Sequence, residues 1–336
     1  MMRLVQGVQN QDLLSQAHRA LGWTLYFLGE FASARTHVEQ AIALYDPPKH
    51  PRLPVGTYDP RVDCLSYGAW ILWYLGYPDQ GLKRSYEAVA LATEQSRPFN
   101  LAIALGFATL FHSLRREEPA ARERTEAVIT LSTEQGFPYW LAWGTIMRGW
   151  ALAEQGQMEE GIAQMQQGLV ARRAMGTEVG RPQWLALLAE AYGKVRQTKA
   201  GLAVLAEALA TADKIRERYH EAELYRLKGQ LTLQKSEVRG PKSGVPNTQH
   251  PTPSTQAKAE AEACFLKAIK IARRQSAKSL ELRAVMSLSR LWQQQGKKNE
   301  ARQLLAEIYG WFTEGFDTKD LQEAKALLEG VSRTLD

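Results

Sequence analysis

Cysteine is almost missing from this sequence, with Cys64 and Cys264 the only two among 336 residues. Two hundred positions apart, they cannot build a disulfide framework. Each falls within a helical pattern, where a thiol reads as a small buried hydrophobe. Histidine is scarce as well, and the six, at 18, 37, 50, 112, 220 and 250, form no metal-ligand spacing with one another or with cysteine. No metal or other cofactor is expected. No apolar run approaches the eighteen or so residues of a membrane span, and MMRLVQGVQNQDLL lacks the apolar core and cleavage site of a signal peptide. The expectation is a cytoplasmic protein with no membrane contact. Val, Ile and Thr are too sparse to furnish a large sheet. The net charge of +6 is mild, acidic residues are interleaved throughout, and the Arg-Arg pairs at 115–116, 172–173 and 273–274 stand alone. A nucleic-acid surface would cluster its cations on one face, so none is expected.

What the sequence does contain is helix-forming: Ala, Leu, Gln, Glu and Arg dominate. At 45% hydrophobic and 23% charged residues it belongs with folded chains and not disordered ones. Its length exceeds what one core usually holds, so two domains or a repeat array are the options. Self-similarity decides for the array. Segments 20–45, 66–92, 146–171, 187–212 and 287–310 share one frame: a helix, a glycine or polar turn, and a second helix with small residues seven apart. Segment 107–132 is a degenerate copy without the turn glycine. The later small position falls at Ala41, Ala88, Ala127, Gly168, Ala208, Ala268 and, filled by a larger residue, Ile308. The gaps are 47, 39, 41, 40, 60 and 40, a period near 40 with an insertion of about twenty residues in the sixth repeat.

A helix pair cannot bury its apolar face alone, so it stacks on its neighbours. Ala34, Gly81, Ala120, Gly161, Gly201, Ala261 and Ala301 recur where helices approach closely. Gly29, Gly76, Gly156 and Gly296 end the first helix, where positive φ is wanted. Leu21-Gly22, Gly29, Ala34 and Ala41 resemble the tetratricopeptide (TPR) consensus, although the usual TPR period is 34; HEAT repeats approach 40 without this spacing. The expected fold is all-α: one right-handed α-solenoid domain over 1–336, of about seven TPR-like helix pairs. Residues 1–10 read as the tail of an earlier helix, which leaves that end open to missing repeats or to a covering partner. Residues 46–60 form a proline-rich loop, 235–256 a disordered insertion, and 317–330 a capping helix with Asp317 or Thr318 near its N-cap.

Beyond the repeat, HRALGWTLYFLGEFASARTHVEQAIALYDP (18–47) and the stretches 137–169 and 261–330 resemble the C-terminal TPR region of large bacterial signalling proteins. Those join a class III adenylate/guanylate cyclase domain, or a kinase domain, to a STAND-type ATPase. The resemblance covers essentially the whole chain and is most specific over its last hundred residues. It implies a sensor or scaffold arm controlling attached ATPase and cyclase modules. None of that family's catalytic motifs is present, so no catalytic residue carries over.

Nor do the residues themselves suggest an enzyme. Gly76-Tyr-Pro-Asp-Gln-Gly81-Leu82-Lys83 is a near miss for a P-loop, with leucine where lysine must follow the second glycine and no strand before it. There is no Gly-x-Ser-x-Gly elbow. Glu117–Glu118 and Glu159–Glu160 sit at helix starts or turns, where they complement the dipole. The unusual feature is tryptophan. Trp23, Trp70 and Trp150 each lie eighteen residues before their repeat's marker, on the first-helix face that lines a TPR groove, with Tyr26, Trp73 and Trp143 on neighbouring positions. Glu190, Gln230 and Arg290 hold the same position later, so the groove should turn polar toward the C-terminus. Arg19, Ser66, His112, Lys194 and Arg226 complete the candidate lining. Aromatic groups offer large contact area at small entropic cost, or they merely fill the interior between long helices. The expected function is a non-enzymatic scaffold holding a protein or peptide in its concave groove; a small-ligand sensor closing around a metabolite is the alternative.

Overall fold

A computed structural model describes residues 11–45, 59–237 and 254–332, at 237, 331 and 332 by their backbone alone. The half-repeat expected at 1–10, most of the loop at 46–60 and the centre of the 235–256 insertion lie outside the described residues. The insertion is shorter than expected at both edges. Lys235–Glu237 continue the preceding helix, and Thr255 already begins the next, capped by Ser254 Oγ, which accepts from Ala257 N at 3.2 Å. Ser254 N donates to Ser236 Oγ at 2.9 Å, so the insertion leaves and re-enters the array at one place.

Among the described residues there are fifteen helices and no strand. Seven pairs follow one another: α1 (Gln11–Phe27) with α2 (Phe31–Leu44), α3 (Pro60–Tyr74) with α4 (Pro78–Glu94), and α5 (Pro98–Leu114) with α6 (Glu118–Gln135). Then come α7 (Pro138–Glu154) with α8 (Met158–Ala174), α9 (Arg181–Lys194) with α10 (Thr198–Ile215), α11 (Glu221–Glu237) with α12 (Thr255–Arg274), and α13 (Lys278–Gln294) with α14 (Lys298–Tyr309). A last helix, α15 (Lys319–Ser332), packs on α13 and α14. The chain is an all-α repeat solenoid.

The 40-residue period is written in the backbone. Left-handed residues close the first helices at Gly76, Arg116, Gly156 and Arg196, and the second helices at Ser96, Gly136, Gly176 and Arg216, each series advancing by forty. Arginine at 116 and 196 shows that the geometry is kept where glycine is not, at a modest steric cost. Proline opens α3, α4, α5 and α7 at the first turn, where its missing N–H costs nothing.

The two helices of a pair are buried differently. In α5 every residue from Ala102 to Leu114 is buried, and in α3 only Arg61 escapes. The second helices bury one stripe: Gly81, Ser85, Ala88 and Ala92 in α4. First helices therefore form an inner ring and second helices an outer sleeve. The small residues seven apart sit at the contact between the layers. A Cβ on Gly149 would lie 2.5 Å from the carbonyl of Gly161, and the reverse holds equally, so only glycine lets α7 and α8 approach this far.

The solenoid closes on itself. Arg218 N donates to Phe27 O at 2.6 Å, Tyr26 stacks on Tyr219 at 4.9 Å, and Tyr74 Oη bonds His220 Nδ1 at 3.0 Å. Ser279 Oγ donates to Trp73 O at 2.5 Å, and Gly315 N to Asp79 Oδ2 at 2.8 Å. The first two repeats thus meet the sixth, the seventh and the C-terminal segment along a seam.

Candidate binding chambers inside the ring

Among the described residues, closure leaves two main chambers in the interior in place of one continuous groove, and Gln183 lines both. One lies where α5, α7 and α9 begin; the other lies where they end.

The first, about 340 Å³, is aromatic. Trp23 and Phe27 come from α1, Tyr67 and Trp70 from α3, Phe107 from α5, Trp140 and Trp143 from α7, and Trp184 from α9. Trp70 and Phe107 stack at 4.2 Å, Trp143 meets Trp184 edge-on at 4.6 Å, and Tyr219 completes the floor. These rings are held by more than contact. Trp70 Nε1 donates to Phe107 O at 3.1 Å, Trp143 Nε1 to Thr109 Oγ1 at 3.2 Å, and Tyr219 Oη to Gln183 Oε1 at 3.1 Å. Trp23, Phe27, Phe99, Phe137 and Tyr139 are half-buried and Val179 exposed, so they form the mouth above a buried floor.

One carboxyl sits in this aromatic wall. Asp63 is 4% exposed, and its Oδ2 makes no hydrogen bond shorter than 3.5 Å. Its nearest cation is Arg19 Nη1 at 3.7 Å, itself leaning over the Trp23 ring at 4.5 Å. Burial pushes the Asp63 carboxyl up to about 8, against the opposing pull of Arg19 and the Trp23 indole. Across the chamber, Gly180 N donates to both oxygens of Glu217 at 3.1 Å. Burial raises that carboxyl to about 7, against this bond and Arg172.

The second chamber, about 190 Å³, is charged. Arg226 bonds Glu223 through two nitrogens at 2.7 and 2.6 Å, both side chains buried. Arg283 Nε donates to Asp320 at 2.7 Å and its Nη2 to Leu114 O at 2.6 Å; Arg116 lies 2.7 Å and Arg290 3.0 Å from Glu323. Lys194 pairs with Glu154. Burial alone would raise Glu223, but Arg226 and Arg283 outweigh it and hold the carboxyl at about 2. Burial lowers His220 to about 4. This network ties α15 and α13 to the end of α5, and so belongs to the seam.

The sequence-picked residues divide among four settings. Trp23, Trp70 and Trp143 line the aromatic chamber, with Arg19 beside it. Trp150, Glu190, Lys194 and Arg226 line the charged one, as do Gln230 and Arg290. Trp73 packs under Arg283 at 4.9 Å, on the seam. The remaining three do not face an open groove. Tyr26 is wholly buried among Phe31, Tyr74 and Tyr219 because closure brings Tyr219, in the turn before α11, over it. Ser66 turns its hydroxyl back to Val62 O at 2.8 Å. His112 is buried against Glu117 at 2.7 Å, lining neither chamber. Asp63, Tyr67 and Phe107 were missed. Asp63 lies one turn before Tyr67 and two before Trp70, on the same helix face, and that spacing could have found it.

Among the described residues no three His, Cys, Asp or Glu side chains could hold a metal, and no helix is long and apolar enough to cross a membrane. No protein-family model and no curated protein sequence matches the chain. Solved structures do. A Rap protein complexed with competence and sporulation factor is 15% identical, with a TM-score of 0.57 over 95% of this chain and 87% of that one. Yeast Tom70 is 14% identical at 0.48, covering 99% of this chain and 57% of its own. A Pyrococcus horikoshii STAND protein with a tetratricopeptide repeat sensor is 13% identical at 0.46, covering 99% and 46%. The chain thus spans about half the length of the last two, and at those scores neither bears on function. The first shares the fold.

Proposed function

We infer that this chain is a binding solenoid without catalytic chemistry of its own, which holds a short peptide or compact segment of a protein partner in its aromatic chamber. The carrying observation is the chamber: about 340 Å³, walled by rings fixed through packing and hydrogen bonds, with a half-exposed mouth. Recognition pockets favour such rigid amphipathic surface. The Rap protein of similar fold was solved complexed with competence and sporulation factor, which supports a binding role for the fold. The resemblance of 18–47, 137–169 and 261–330 supports a role as the regulatory arm of a bacterial signalling ATPase or nucleotide cyclase in the cytoplasm.

The test is selection from a library of short peptides on the wild-type chain and on Trp23→Ala/Phe137→Ala, a pair at the half-buried mouth. Sequences enriched on the wild type and lost on the variant support the reading. Equal enrichment on both moves the site off the chamber. Closure favours one competing reading, because two small chambers hold a metabolite more readily than a long extended chain. That sensor reading prevails if no peptide is selected while a compact ligand gives a saturable thermal shift.

A further inference from the structure

The aromatic chamber carries a chemical preference that its size does not. Its wall is hydrocarbon and ring edge apart from a few polar positions, and one of these is a carboxyl on the central helix stripe: Asp63, Tyr67 and Trp70 on successive turns of α3. A buried carboxyl in such a wall is costly unless a partner meets it. Asp63 is met incompletely. Arg19 approaches from α1 at 3.7 Å, beyond hydrogen-bond distance, and is itself drawn over Trp23. The other charged group acting on Asp63 is Asp59, also an anion, at the N-cap of the same helix. The ring faces of tryptophan and tyrosine attract cations, most strongly where water is excluded.

Resting on the chamber being the binding site, we propose that it recognises an ammonium group, with Asp63 as counter-ion and the rings of Trp23, Tyr67 and Trp70 as the surrounding cage. The ammonium gives Asp63 the short charge-assisted hydrogen bond that Arg19 does not. The same chemistry is offered by a free amine, by a peptide N-terminus and by a lysine side chain. Because burial holds Asp63 protonated near neutrality, binding the ammonium expels that proton, and affinity rises with pH toward 8.

The experiment is calorimetric titration of the full chain with 2-phenylethylammonium, the neutral 3-phenylpropanol and the anionic 3-phenylpropionate, repeated on Asp63→Asn and Arg19→Met. Phe-Gly amide with a free or an acetylated N-terminus separates a peptide source from a free amine. The wild type should prefer the ammonium at least tenfold over the alcohol and should release a proton on binding it. Asp63→Asn should erase that preference, whereas Arg19→Met, which removes the resident competitor, should strengthen it. The two variants move affinity in opposite directions, which a general loss of packing would not do. If all three probes bind wild type equally, the ammonium proposal falls while the chamber stands. If Phe99→Ala at the mouth leaves probe binding untouched, or if no probe binds at all, the chamber reading falls with it.

Discussion

The two chambers share a wall at Gln183 and are built by the same ring of helices, yet they solve burial in opposite ways. The aromatic chamber is lined by rings that satisfy one another and leaves one carboxyl imperfectly met. The charged chamber buries more ions but pairs them, with Glu223 gripped by Arg226 and Asp320 by Arg283. A paired ionic network is a fastener; a nearly apolar wall with an incompletely met carboxyl is a receptor. Position along the repeats explains the difference. First-helix positions that hold tryptophan in early repeats hold Glu190, Gln230 and Arg290 in later ones, and closure places the later ones beside Asp320 and Glu323 of α15.

Breaking the fastener should have the largest effect. Arg226→Ala strands Glu223 and should cost about 3–5 kcal/mol in thermal or denaturant unfolding, while Arg226→Met with Glu223→Leu recovers most of it. Trp70→Ala should cost a comparable ~3–5 kcal/mol, since this ring serves the core as much as the cavity. Acid should next separate the chambers. His220 is held at about 4, below its unfolded value, so stability falls as pH drops from 6.5 to 4, by about 3 kcal/mol. Glu223 adds a further loss between about 4.5 and 2. Asp63 has the opposite sign. Its folded value is raised to about 8, so its contribution is complete below 3.8 and disappears as pH rises through 8. His220→Phe should flatten the first slope and Asp63→Asn the last, as read from unfolding midpoints at each pH. Smallest should be Trp23→Ala at the mouth, about 1 kcal/mol in stability with its effect concentrated in ligand binding.

Much of this fold was legible because local rules agree with it. Small residues at 34, 41, 81 and 88 announce helix contacts, and glycines at 29, 76, 156 and 296 announce turns that the backbone makes at positive φ. The aromatic-to-polar gradient was legible for the same reason, since helical phase places Trp23, Trp70 and Glu190 on one inner face. Closure was not. It depends on the small rotation per repeat, accumulated over seven pairs, and no single residue encodes it. For that reason Tyr26 and Trp73, placed on the groove face by phase, lie in a seam with Tyr219, in the turn before α11, and with α13. His112 faces Glu117 because the turn folds back, a contact that helical phase does not describe. Asp63 was hidden for a different reason: one carboxylate in a helix attracts no notice until its neighbours are seen to be rings.

The seam also alters how the array must come apart. An open solenoid obeys a nearest-neighbour scheme, in which terminal repeats fray first and stability grows by increments as repeats are added. Here Asp79 bonds Gly315 across 236 residues of sequence, and Trp73 bonds Ser279 across 206. Such distant contacts raise the contact order and slow folding, because a long loop must close before the first of them forms. In return they join both ends into one cooperative unit, so deleting the last repeat should weaken the first two, and hydrogen exchange at α3 should report the integrity of α13.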